Sequence, residues 1–215
     1  MTTPSGEERS IIAAKAAASA SLRDTAKWLV GGVAATAAGI FAGSSLTHLG
    51  SLDLHQNAER LLMAIGGGVA GFVGLALILS RAIAVLTVES VGLPALAAGE
   101  TATLAQVRDK MATIYAGTFP GNVTSVEQLL AKANDARLKH TDADKLFLAE
   151  FKLFFPKLMA EAGFQHVTQK FRSLIRALWI GGPLAIVGFG LFAWAANPPE
   201  DQAPAKPPVT IINNR

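Results

Sequence analysis

LLMAIGGGVAGFVGLALILS, residues 61–80, carries no charged side chain and is closed at its two ends by Arg60 and Arg81. At about 1.5 Å of rise per residue, a helix of this length reaches roughly 30 Å, the thickness of a bilayer's hydrocarbon core. Apolar on every side, such a helix has no polar face to turn toward water, and a soluble core helix seldom needs that over so great a length. Two other runs read the same way. No Asp, Glu, Lys or Arg lies between Lys27 and Asp53, and none from Ala177 to Pro199. The expected fold is therefore all-α: an integral membrane protein with three transmembrane helices and a cytoplasmic helical bundle inserted between the second and third.

The boundaries follow from the flanking residues. A cytoplasmic juxtamembrane segment (1–27) leads to a first span at 28–46, an external loop at 47–60 and a second span at 61–80. The helical domain takes 81–176, the third span 177–196, and an external tail 197–215. Trp28, Arg81, Arg176, Trp179 and Trp194 are the expected interface anchors. Trp179 and Trp194 would stand about 22 Å apart on a helix, suiting one aromatic at each membrane face. Basic residues set the orientation. Arg9, Lys15, Arg23 and Lys27 precede the first span, Arg81, Lys170, Arg172 and Arg176 border the domain, and the loop 47–60 holds only Arg60. The amino terminus and the domain are thus expected inside and the tail outside, at a membrane read as the bacterial inner membrane. The tail contains Pro198, Pro199, Pro204, Pro207 and Pro208 and is expected to be extended.

Composition supports the same reading. Charged residues make up 16% of the chain against a usual value of about 25%, and the shortfall is concentrated in the three runs. The absence of cysteine excludes disulfides and thiolate metal sites. The net charge of +3 reflects cations flanking membrane spans, so no nucleic-acid partner is expected. Residues 1–27 begin polar and lack the apolar core of a cleavable signal peptide.

Small residues recur at four-residue spacing in the runs: Ala35, Gly39 and Gly43 in the first, Gly67 and Gly71 in the second. Four residues apart is one helix face, where small side chains admit a second backbone. These are the expected helix-packing positions, in a tight hairpin or a homo-oligomer. The run from Gly66 to Gly71 also matches G-x-G-x-x-G, but with no preceding strand it cannot be a dinucleotide loop. Gly181, Gly182 and Pro183 mark a candidate hinge in the third run. No run holds an ionisable residue at mid-depth, which counts against a proton-coupled transporter.

After Pro94 the composition becomes soluble and the apolar period helical. Helices are expected from Thr101 or Thr103 to about Ala116, from Ser125 to about Leu138, from Thr141 or Asp142 with a bend at Pro156, and from about Phe164 onward. Phe147, Phe151, Phe154 and Phe155 form a stripe that belongs to the bundle core or to a partner interface. His140 with Asp142 and Asp144 has the composition of a metal cluster, yet the same residues are ordinary helix-cap chemistry. No cofactor is expected. Without a G-x-S-x-G, H-E-x-x-H or Walker A motif, and without a cysteine nucleophile, no enzyme activity is expected either.

The layout is similar to that of transmembrane effectors of bacterial defence and signalling systems, in arrangement and not in motif. The leading expectation is a non-enzymatic, membrane-anchored interaction protein whose cytoplasmic domain binds a protein partner and whose glycine-rich spans self-associate. A partner- or ligand-triggered, pore-forming effector and an accessory subunit of a larger membrane complex use the same parts.

Overall fold

The structure, a computed structural model, describes residues 6–43, 58–88 and 91–196, apart from the side chains at 37, 38 and 40–43. Residues 47–57 of the expected loop 47–60, with His48 and His55, and the tail 197–215 lie outside the described residues, as do the surroundings of Gly43. The described chain is all-helical, without a strand. Its elements are α1 (Gly6–Gly43), α2 (Ala58–Leu86), α3 (Leu93–Ala98), α4 (Ala102–Ile114), α5 (Val126–Lys139) and α6 (Asp142–Ala196), with a 3-10 turn at Pro120–Asn122.

Among the described residues two helices, not three, are long and apolar enough to cross a membrane: Ala58–Leu86 and Asp142–Ala196. The expected first span corresponds to the second half of α1, built largely of alanine and glycine, whose apolar surface is small; residues 44–46 are not described. Only 28% and 33% of the most apolar windows of α2 and α6 are buried. The core helix of a soluble protein is, by contrast, mostly enclosed.

One further expectation is revised. The helices expected on either side of Phe164 are one 55-residue helix, α6. A lone Gly163 costs a helix about 1 kcal/mol, too little to end one flanked by Leu158–Ala162 and Gln165–Val167. The helix also runs unbroken through Pro156 and through Gly181-Gly182-Pro183. The short α3 is an addition, signalled by Pro94 in its first turn and by Gly99, which closes it at φ 61°.

The chain forms two compact units. One comprises Met1–Val33 with Leu77–Trp179, the other Ala34–Ala76 with Ile180–Arg215. The core of the first is made by α3, α4, α5 and the start of α6, with Leu96, Val107, Met111, Val126, Leu129 and Leu158 sealed from solvent. Local chemistry fixes the ends of these helices. The Thr101 hydroxyl accepts from Leu104 N–H at 3.2 Å, and Ser125 accepts from Gln128 N–H at 3.2 Å. Thr141 and Asp144 bond reciprocally: Thr141 N–H donates to Asp144 at 3.0 Å and Asp144 N–H donates to Thr141 Oγ1 at 3.2 Å. The Thr141 hydroxyl, which donates to the Asp144 carboxylate at 2.5 Å, and after it the Thr141 N–H hold that carboxyl below its ordinary pKa. Among the described residues, no His, Asp and Glu group is placed to hold a metal ion.

A second cluster in this unit joins three helices: Ala26, Leu29, Val30 and Val33 of α1; Ile78, Ala82 and Val85 of α2; Phe171, Leu174 and Leu178 of α6. The amino-terminal part of α1 is fastened to the same unit by polar links. Lys15 pairs with Glu161, Gln165 donates to Glu161 at 2.7 Å, and Lys110 donates to Gln165 at 2.6 Å. Arg23 donates to the Val88 carbonyl at 3.0 Å.

In the second unit α2 and α6 run antiparallel at backbone contact. A β-carbon placed on Gly67 would stand 2.7 Å from the Gly188 carbonyl, and one on Gly74 2.5 Å from the Gly181 carbonyl. A β-carbon on Gly188 would strike the Gly71 backbone. Phe72 and Phe189 meet edge to face at 5.7 Å, and Arg60 lies 5.6 Å over the Trp194 ring.

Candidate functional site

The stripe expected on α6 is divided by the fold. Phe154 turns into a cluster with Tyr115, at 5.1 Å, and Phe119, at 5.6 Å. Phe147, Phe151 and Phe155, four residues apart, stack along another row at 6.1 and 5.6 Å. Phe147 and Phe151 are buried, whereas Phe155 remains 37% exposed. Core and surface are thus joined in one row, and its outer end opens into a groove.

That groove has a volume of about 620 Å³. Leu93 and Pro94 of α3 form one wall, Leu130 and Ala133 of α5 another, and Leu148, Phe151 and Phe155 of α6 the third. Asn134, Arg137 and Lys152 supply its polar lining, and no acidic side chain lines it among the described residues. The loop before α5 is fastened to the same two helices, α5 and α6. Gly121 sits at φ 72°, where a side chain would be strained. Lys132 donates to the Gly121 carbonyl at 2.7 Å and lies 5.2 Å over the Phe147 ring, tying loop, α5 and α6 together. The lining is apolar with two cations, without a nucleophile paired to a base.

The other expected positions fall as follows. Gly67 and Gly71 are buried against α6, which makes them packing positions within the chain. Ala35 is exposed, and a β-carbon on Gly39 would meet nothing within 4 Å. Gly181 is buried against α2, while a β-carbon on Gly182 would meet nothing within 4 Å and Pro183 is exposed. Trp28 (83%), Trp179 (78%) and Trp194 (59%) expose their rings, and Arg81 and Arg176 are also exposed. α3, which supplies a wall of the groove, was missed although Pro94 and Gly99 signal it, and nothing in the sequence shows that Leu93, Leu130 and Phe155 line one groove.

One buried histidine lies in the first unit. His166 is 9% exposed, and its Nδ1 has no hydrogen-bond partner among the described residues. Burial first, and the Lys170 charge second, hold its pKa below the ordinary 6.5. Between the lowered folded value and about 6.5 the unfolded chain binds more protons, so stability is full above that window and is lost as pH falls through it. Thermal unfolding in detergent should therefore shift downward from about pH 7.5 to about pH 5, and His166→Leu should flatten that slope. Parallel profiles for the two proteins would refute the assignment to His166.

Comparison with protein-family models, with curated proteins and with solved structures finds no match to this chain.

Proposed function

We propose that the chain is a non-enzymatic membrane anchor whose helical domain docks a protein partner at the cytoplasmic face, in the groove between α3, α5 and α6. The partner segment is an amphipathic helix with an apolar face and acidic flanks. The groove's composition carries this reading: an apolar floor rewards burial of a helix face, and Arg137 and Lys152 select acidic over basic flanks. Membrane insertion is supported by the exposed apolar surface of α2 and α6, including Leu62, Ile65, Phe72, Ile186 and Val187. We include residues 28–46 as a third span, because α1 shares a cluster with α2 and α6 where its uncharged run begins. The basic residues at 9–27 and 170–176 support an orientation with the domain inside and residues 197–215 outside.

A photoreactive residue at position 155, introduced into the full chain in its membrane, should crosslink one discrete protein. The same probe at Leu138, 80% exposed and not part of the groove, should not. A synthetic amphipathic peptide with glutamate flanks should bind the detergent-solubilised chain, and its lysine-flanked counterpart should not. Phe155→Ala should weaken that binding by about 2 kcal/mol, roughly thirtyfold. Identical crosslinking from both positions, or indifference to the peptide's flanking charge, would overturn the docking assignment.

A further inference from the structure

A second cavity, of about 300 Å³, lies between α2, α4 and α6. Its lining includes Arg81, Lys170, Arg172 and Arg176, and among the described residues no acidic side chain lines it. None of the four cations forms an ion pair among the described residues, although Lys15, Lys27, Arg108, Lys139 and Lys145 all do. Thr103, in the first turn of α4, adds the partial positive charge of a helix start. Gln169 also lines the space, and its Oε1 is buried without a hydrogen-bond partner among the described residues.

Four like charges around one hollow repel one another, and a site of this kind is relieved by an anion that neutralises them together. The volume is about ten times the roughly 30 Å³ of a water molecule, more than a simple ion requires. Position in the chain names the source of the anion. Arg81 follows the apolar run 61–80 directly and Arg176 precedes the run from 177, so both stand where a bilayer's headgroups begin.

We propose that this cavity binds the phosphate-bearing headgroup of an anionic lipid of the inner leaflet. The cations hold the phosphodiester, and the unpartnered Gln169 oxygen accepts a hydroxyl of the headgroup. The site rests on the membrane part of the function proposed above and is independent of the groove.

The test uses the full chain in nanodiscs of phosphatidylcholine alone or phosphatidylcholine mixed with phosphatidylglycerol. Lys170→Gln and Arg172→Gln are combined in one variant, leaving the span-flanking Arg81 and Arg176 in place. A Lys139→Gln, Lys145→Gln variant removes equal charge elsewhere. Phosphatidylglycerol should raise the thermal midpoint and remain attached in native mass spectrometry. The Lys170/Arg172 variant should lose about thirtyfold in retention of that lipid, and the Lys139/Lys145 variant should retain it. Equal retention by both variants overturns the site. Inorganic phosphate added to phosphatidylcholine discs should leave the midpoint unchanged, and an equal rise there overturns the lipid as the source. Failure of the chain to stay with membranes through an alkaline wash would instead reject the membrane reading.

Discussion

Gly188→Leu is expected to separate the paired apolar segments of α2 and α6, while Gly190→Leu, two residues along the same helix, is expected to be neutral or slightly stabilising. The difference lies in what each side chain would meet. A β-carbon at position 188 collides with the Gly71 backbone and comes within 2.7 Å of the Gly67 carbonyl, whereas one at 190 finds nothing within 4 Å. Backbone cannot step aside as the end of a flexible side chain can. In lipid, where apolar burial gives helices little reason to associate, close packing supplies much of their attraction. Overpacking costs about 1–3 kcal/mol, and contact with main chain places Gly188→Leu at the upper end. Helix propensity acts in the opposite direction by about 1 kcal/mol at both positions. Gly74→Leu should behave like Gly188→Leu, since Gly181 and Ala185 crowd it, and Gly66→Leu like Gly190→Leu. Unfolding in mixed detergent titrations measures the difference, and equal losses at crowded and open positions would show that the two helices are not held by this contact.

These contacts mark the limit of what spacing alone reveals. The four-residue rows in the runs 28–46 and 61–80 pointed equally to a hairpin between those runs and to association between copies, because periodicity identifies a face and never its neighbour. The face of Gly67, Gly71 and Gly74 found α6, through Gly181, Ala185 and Gly188; of that row, the sequence singled out Gly181 only as part of a candidate hinge with Gly182 and Pro183. The continuity of α6 was equally hard to read, since a lone Gly163 and a Pro156 weaken a helix without terminating it when strong formers lie on both sides. The caps were easier. Ser125 and Thr141 stood at the helix starts their chemistry specifies, because a cap is a contact between residues three apart. The phenylalanine stripe was legible as apolar but not as divided, for whether Phe154 or Phe155 faces the core depends on Tyr115 and Phe119, which lie far away in sequence.

The attachment of α1 to the helical domain was invisible in the same way, and it sets up an asymmetric effect of mutation. Glu161 is 7% exposed and is held by Lys15 from α1 and by Gln165. The Lys15 side chain keeps 27% of its surface, so it can turn toward water when its partner is removed. Lys15→Ala leaves a carboxylate enclosed with a single amide donor and should cost about 3 kcal/mol, the range for breaking an enclosed ion pair from one side. Glu161→Gln keeps the shape and frees a lysine that rehydrates, so its cost should be nearer 1 kcal/mol. Lys15→Met combined with Glu161→Leu should recover most of the loss, because no uncompensated charge remains. Lys139→Ala removes a pair whose two partners are both more than half exposed and should change little. Trypsin adds a local readout. Arg9, Lys15 and Arg23 all lie on the part of α1 that the Glu161 contact holds down, so Lys15→Ala should speed cleavage at Arg9 and Arg23, while Lys139→Ala should not. Equal losses from Lys15→Ala and Glu161→Gln would mean that solvent reaches the carboxylate, and α1 would then owe its position to apolar contacts such as Ala26 against Ala82 and Leu174.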